Sequence, residues 1–207
     1  MIHQREFNNI MNSVVDHYDK LIDENNDPVL DPPFLQKYMD KWDGKIFIEQ
    51  LQLDNHKSIL EVGVGTGRLA LRTISGCRHF TGLDVSPKTI KRANENLAYF
   101  QNKTLICIDF FDYELIEQFD VVYSSLTFLH IKEKQKAIDK IATFLKRDGR
   151  LVISISKNQS SELNMNNRKL TLYPDNPVDM EKNILNSKLS VINRIETEFA
   201  HIFVAIK

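Results

Sequence analysis

Apolar positions in the first part of the chain recur every three or four residues. Phe7, Ile10, Met11, Val14, Val15, Tyr18, Leu21 and Ile22 fall on one face of a helix over residues 7–22. Asn25-Asn26-Asp27-Pro28 and Asp31-Pro32-Pro33 then interrupt it, because these residue types favour turns over helix. An irregular helical pattern resumes over residues 34–51, so residues 1–56 read as a helical cap.

From Ser58 the period shortens. Apolar runs of strand length (58–62, 79–83, 104–108, 119–124 and 149–155) alternate with helical stretches (68–74, 87–99 and 133–145). Strands and helices in alternation imply right-handed crossovers and a parallel sheet covered on both faces. Ser86-Pro87 sets an N-cap before a proline at the first helical position, and Asp148-Gly149 supplies a turn. Beyond Ser156 come a polar stretch over 157–165, a short strand over 169–173 and a helix opening at Pro174-Asp175-Asn176-Pro177. Two strand-like runs, 189–199 and 200–206, are close enough to pair as a hairpin. The chain thus predicts one α/β domain in three parts: the cap, a ligand-binding core over 57–156, and an insertion with the C-terminal hairpin over 157–207.

Composition changes this picture little. With 207 residues, 42% hydrophobic and 27% charged, the chain is long enough to bury its own core. Its two cysteines, Cys77 and Cys107, lie in apolar contexts without metal-site spacing; both are expected to be buried free thiols, and no metal is expected. No stretch has signal-peptide or membrane-span character, which predicts a soluble, cytoplasmic protein. The net charge of −1 gives no global attraction to nucleic acid. Residues 1–57 hold 11 acidic against 6 basic side chains, whereas residues 58–156 hold 14 basic against 11 acidic. An acidic cap disfavours a phosphate backbone and favours a small-molecule partner. Oligomeric state has no signature here.

The chemistry concentrates after the first core strand. Gly63, Gly65 and Gly67 stand between a strand and a helix, where absent Cβ atoms let a ligand approach the backbone and amides at the helix start face it. A dinucleotide site would place its third glycine or alanine where this chain has Arg68. Glu61 is also a poor neighbour for pyrophosphate; its charge suits a ligand carrying an amino group and a sulfonium. It can equally brace the loop backbone. Asp84, seventeen positions after Gly67, ends the second strand near the offset at which a carboxylate meets ribose hydroxyls.

Glu61 to Gly67, Gly82 to Ser86, Ile108-Asp109-Phe110, Phe119 to Ser124 and Leu145 to Leu151 together resemble the successive motifs of class I S-adenosylmethionine-dependent methyltransferases, over residues 58–156. The resemblance implies a three-layer Rossmann-like sandwich around a seven-stranded, mostly parallel sheet of order 3-2-1-4-5-7-6, with the last hairpin strand antiparallel. It also implies S-adenosylmethionine as methyl donor and S-adenosylhomocysteine as product. Glu61, Gly63, Val64, Gly65 and Gly67 would line the cofactor, Asp84 would hold the ribose with Val85 beside it, and Asp109 and Phe110 would meet the adenine. Ser124, at the end of the fourth strand, would border cofactor and substrate, and Arg68 is a candidate for the methionine carboxylate.

An in-line methyl displacement needs positioning more than a universal catalytic group. His130 is the candidate general base and Tyr18 the candidate catalytic residue of the cap. Tyr38, Trp42 and Tyr173 are candidate pocket walls, and the lysines at 132, 134, 136 and 140 read as a solvated helix face. The Asp/Asn-Pro-Pro-Tyr motif of amide methyltransferases is absent, and Asp31-Pro32-Pro33 lies in the cap. The expected activity is methyl transfer to a small molecule, the alternatives being an RNA or protein acceptor, or a non-catalytic binding module.

Overall fold

The computed structural model describes residues 2–165 and 168–207, with side chains from Ser13 onward. Its main sheet has seven strands: β1 (Ser58–Val62), β2 (His79–Asp84), β3 (Lys103–Cys107), β4 (Phe119–Ser125), β5 (Leu145–Ser156), β8 (Ser190–Glu196) and β9 (Ala200–Ile206). They lie in the order β3-β2-β1-β4-β5-β9-β8. The first five run parallel, and β9 is antiparallel to both β5 and β8. The expected order holds within this sheet. Two further strands, β6 (Glu162–Met165) and β7 (Arg168–Thr171), form a separate antiparallel hairpin in the insertion. Only β7 was legible, because β6 is four residues long, nearly all exposed and set at the end of a polar stretch.

The central strands carry apolar residues on both faces, as a doubly covered sheet requires. Ile59, Val121 and Val152 face one core with Phe47 and Leu51 from the cap and Ile90 and Leu97 from the helical layer. Leu60, Val122 and Ile153 face the other, under Ile138, Ile141, Met180 and Ile184. The first layer is built from α3 (Lys45–Gln50), α4 (Ala70–Thr73) and α5 (Pro87–Asn96), the second from α6 (Lys134–Phe144) and α7 (Pro177–Asn186). Ser86 Oγ accepts from the Thr89 amide at 3.0 Å and Asn176 Oδ1 from that of Val178 at 2.9 Å, so both helices begin on a side-chain cap.

The cap consists of α1 (Ile2–Asp23), α2 (Pro33–Asp43) and α3. Val14, with Tyr18, packs on Leu170 and Leu172 of the insertion and on Val85. The side chains of Phe7, Ile10 and Met11, which the periodicity placed on this face, lie outside the described ones. Arg168 grips both carboxylate oxygens of Glu24 at 2.6 and 2.8 Å, so cap and insertion meet over the carboxyl edge of the sheet. No helix among the described residues is long and apolar enough to cross a membrane.

Two expectations are corrected here. Cys77 is buried, but Cys107 is exposed, because β3 is an edge strand with a single neighbour. The lysine run is not uniformly solvated. Lys134 is drawn inward, bonding the carbonyls of Phe128 at 2.5 Å and Tyr173 at 2.8 Å and the carboxylate of buried Asp175 at 2.8 Å. Burial pushes the Lys134 ammonium down and the Asp175 carboxyl up from their usual ranges. Removing one partner of such a pair strands the other charge. Lys134→Met is expected to lower stability by about 3 kcal/mol in urea denaturation.

Candidate functional site

Three glycines shape the turn out of β1, each in the left-handed region: φ is +80° at Gly63, +56° at Gly65 and +97° at Gly67. Their roles differ. A Cβ on Gly63 would fall 2.0 Å from Thr127 Oγ1, and one on Gly67 would press on Leu97 at 3.0 Å, so these two permit close internal packing. A Cβ on Gly65 would meet nothing within 4 Å and would enter open space at the mouth of the site. The loop amides, however, are spent inside the protein. Those of Gly63 and Val64 donate to the Leu83 carbonyl at 2.8 and 3.0 Å, and that of Gly67 to Val64 O at 3.1 Å. That of Gly65 donates to Asp84 Oδ2 at 2.9 Å. At these four positions the loop therefore offers a ligand shape rather than donors.

Asp84 accepts a second bond through Oδ1, from the Ser86 amide at 3.0 Å. Burial raises its pKa, opposed by these amide bonds. Around it opens a cavity of about 740 Å³, reaching from Gly63 and Gly65 past Asp84 and Val85 to Asp109 and Phe110, and on to Tyr18, His130 and Tyr173. Asp109 Oδ1 accepts from the Phe111 amide at 3.0 Å, and burial raises its pKa as well. The Phe110 ring lies 4.3 Å from that of Phe111, centroid to centroid, making one apolar wall.

On the far side of the loop a smaller cavity of about 160 Å³ is lined by Glu61, Val64, Thr66, Arg68 and Ser125, under Asn26, Pro28 and Met39 of the cap. Glu61 is buried, and its Oε2 accepts from the Tyr123 hydroxyl at 2.9 Å. Burial pushes its carboxyl up to about 8, while the Tyr123 bond and the Arg68 charge pull the other way. Arg68 is not solvated; its guanidinium is clasped by Asp43, Nη1 to Oδ1 at 2.8 Å and Nη2 to Oδ2 at 2.5 Å.

His130, in the turn after β4, shares a 2.7 Å hydrogen bond between its Nε2 and the Tyr18 hydroxyl. Burial first, then the nearby His17 and Lys134, push the imidazole down to about 4. Burial, followed by Asp84, pushes the Tyr18 phenol well above its usual range. Both side chains are therefore neutral across the physiological range.

Other expected residues fall elsewhere. Ser124 is fully buried, its Oγ donating to the Val62 carbonyl at 2.8 Å; it straps β4 to β1, and its successor Ser125 faces both cavities. Gly67 lines neither cavity. Tyr38 and Trp42 line neither cavity, because α2 stacks them on Phe199, the residue just before β9, with centroids 5.5 and 4.5 Å away. Tyr173 does line the larger cavity, as do Lys132 and Lys136. Ser125, Leu126 and Thr127, which follow Ser124 at the end of the fourth strand, line the larger cavity as well, whereas Asp43 and Phe111 went unread. Leu126, at φ +57°, is a bulky residue in left-handed backbone, which no periodicity reveals. No cluster of metal-ligating side chains occurs among the described residues.

Residues 53–197 match a family described as a methyltransferase domain. An uncharacterized methyltransferase of Anoxybacillus flavithermus is 30% identical over 123 residues, covering 58% of this chain and 57% of that protein. A malonyl-[acyl-carrier protein] O-methyltransferase of Ilyobacter polytropus is 26% identical over 143 residues, covering 65% of this chain and 55% of that protein. The chain thus spans little more than half the length of these relatives. In fold it is similar to magnesium protoporphyrin IX methyltransferase from Synechocystis PCC 6803, crystallised with bound S-adenosylmethionine. The TM-score is 0.75 at 18% identity, over 95% of this chain and 96% of that one.

The two loop glycines make opposite demands on a methyl group. Gly63→Ala combines left-handed strain with a clash on Thr127 and is expected to cost about 3–5 kcal/mol. Gly65→Ala carries the strain alone, about 1–2 kcal/mol. Chemical denaturation of the two variants separates them.

Proposed function

The chain belongs to the methyltransferase-domain family, and from that premise we propose that it is an S-adenosylmethionine-dependent methyltransferase acting on a small-molecule acceptor. The observation that carries this reading is the meeting of two cavities at Gly65, one lined by Asp84 and Asp109, the other by Glu61 and Arg68. The residues fit the cofactor: Gly65 leaves open the space that a Cβ would fill, beside two carboxylates at strand ends. When bound, S-adenosylmethionine supplies a methyl group activated by a sulfonium charge.

The chain's own residues then divide the work. Asp84 would accept from ribose hydroxyls with the lone pairs its two amide bonds leave free. Asp109 would accept from the adenine amino group, with Val85 and Phe110 as apolar neighbours. Glu61 and Arg68 would take the amino and carboxylate groups of the methionine end. The larger cavity continues beyond these residues toward Tyr18, His130 and Tyr173, where an acceptor would sit. There the Tyr18 hydroxyl can take the proton of an acceptor hydroxyl as methyl transfer makes it strongly acidic, passing its own to His130 Nε2, 2.7 Å away; an imidazole pushed down to about 4 accepts from such a group and not from an ordinary ammonium. The magnesium protoporphyrin IX methyltransferase that is similar in fold, and is named for a small-molecule acceptor, supports this reading.

The direct test is methylation of a metabolite extract with labelled S-adenosylmethionine, followed by identification of the product. Tight cofactor binding with no labelled product, across extracts and RNA or protein fractions, would overturn turnover in favour of a binding module. With an acceptor in hand, His130→Ala is expected to lower kcat about a hundredfold without changing cofactor affinity.

The Glu61 carboxyl adds a pH signature. Because it titrates at about 8, it is protonated in the free protein at neutral pH. A ligand ammonium favours its carboxylate, so binding expels a proton. Cofactor affinity is expected to rise with pH and level off above about 8, with release of about one proton at pH 7. Calorimetry in buffers of different ionisation enthalpy measures that release, and Glu61→Gln should abolish it.

A further inference from the structure

Asp43, the last residue of α2, has no solvent exposure at all. A carboxylate there is tolerable only if it is fully hydrogen-bonded, and it is. Oδ1 and Oδ2 take the two arms of the Arg68 fork, and Oδ2 also accepts from Ser125 Oγ at 2.5 Å. Arg68 and Ser125 both line the smaller cavity, one directly after the glycine loop and the other at the end of β4, yet one cap residue holds both.

The consequence is a sorting of donors and acceptors. The guanidinium, fixed in the plane set by its bidentate partner, keeps further N–H donors unspent. The Ser125 proton is committed to Asp43, so its oxygen is left as an acceptor. Glu61 is a second acceptor in the same cavity. One cationic donor beside two acceptors is the complement of a zwitterion, whose carboxylate needs the former and whose ammonium needs the latter.

We propose that Asp43 is a positioning residue: it orients Arg68 as a donor and Ser125 as an acceptor, so that the smaller cavity receives the zwitterionic amino-acid end of the cofactor. This rests on the cofactor reading above. It gives the cap helix α2 a part in ligand affinity beyond covering the site.

A ratio of affinities tests it. S-adenosylhomocysteine carries the amino-acid end, and 5′-methylthioadenosine lacks it. In Asp43→Asn one oxygen becomes an amide that cannot accept, so binding of S-adenosylhomocysteine is expected to weaken about tenfold or more by calorimetry, with 5′-methylthioadenosine unchanged. Equal weakening of both ligands would make Asp43 mere scaffolding, and no weakening of either would overturn its role outright. Should the thermal melt show that Asp43→Asn does not fold, Ser125→Ala decides: a loss of about threefold or more confined to S-adenosylhomocysteine supports the proposal, and an unchanged ratio overturns it. If the wild-type protein binds neither ligand, the cofactor reading itself fails and the role assigned to Asp43 falls with it.

Discussion

The carboxylate of Asp84 is the constraint around which the carboxyl edge of the sheet is arranged. One oxygen holds the amide of Gly65 and the other that of Ser86, so the turn leaving β1 and the start of α5 are fixed to a single group. Everything that lines the larger cavity is placed relative to that junction. Because β1 and β2 pair in parallel through Val62 and Leu83, the loop after one strand and the acid ending the other arrive side by side without any long connection. The same carboxylate ties down a turn that contains three left-handed glycines and stands beside the larger cavity.

The charge asymmetry along the chain acquires a different meaning in three dimensions. The acidic excess of the cap reads in sequence as a surface hostile to phosphate. Folded, four of these acids pair with the core: Asp23 with Lys88 and Asp40 with Arg72 toward the surface, Asp27 with Arg92 and Asp43 with Arg68 in the interior. The modest basic excess of the core is what these acids meet. Opposite charges on two parts of one chain therefore help to seat the cap, and they contribute most where burial screens them least, at Asp27 and Asp43.

What was legible in the sequence followed from periodicity and from backbone chemistry. Strand and helix alternation gave the sheet, and the positions of Gly63, Gly65, Asp84 and Asp109 followed because each sits at a strand end, where direction and spacing are dictated by the fold. Contacts between distant segments were not legible. The clasp of Asp43 on Arg68 joins positions with no shared pattern, and Ser124 and Ser125, both in β4, differ in role because successive strand residues point to opposite faces. Tyr38 and Trp42 misled for the same reason: aromatic residues in a cap helix show their type but not the neighbour they will meet, here Phe199. The short strand β6 escaped because its alternation, Leu163 and Met165 between polar residues, spans only four positions at the end of a polar stretch.

The unequal fate of the two cysteines has a practical side. Cys77 is enclosed in the core, while Cys107 stands exposed at the end of β3, with its sulfur 3.6 Å from the carbonyl oxygen of Val85. A thiol-reactive fluorophore would therefore attach at one place, beside the rim of the larger cavity, without mutagenesis to remove competing sites. Partial burial and the neighbouring Asp84 and Asp19 carboxylates raise the Cys107 pKa, so conjugation is best driven under mildly alkaline conditions. The edge strand thus supplies a built-in optical reporter of occupancy, independent of knowing what the protein modifies.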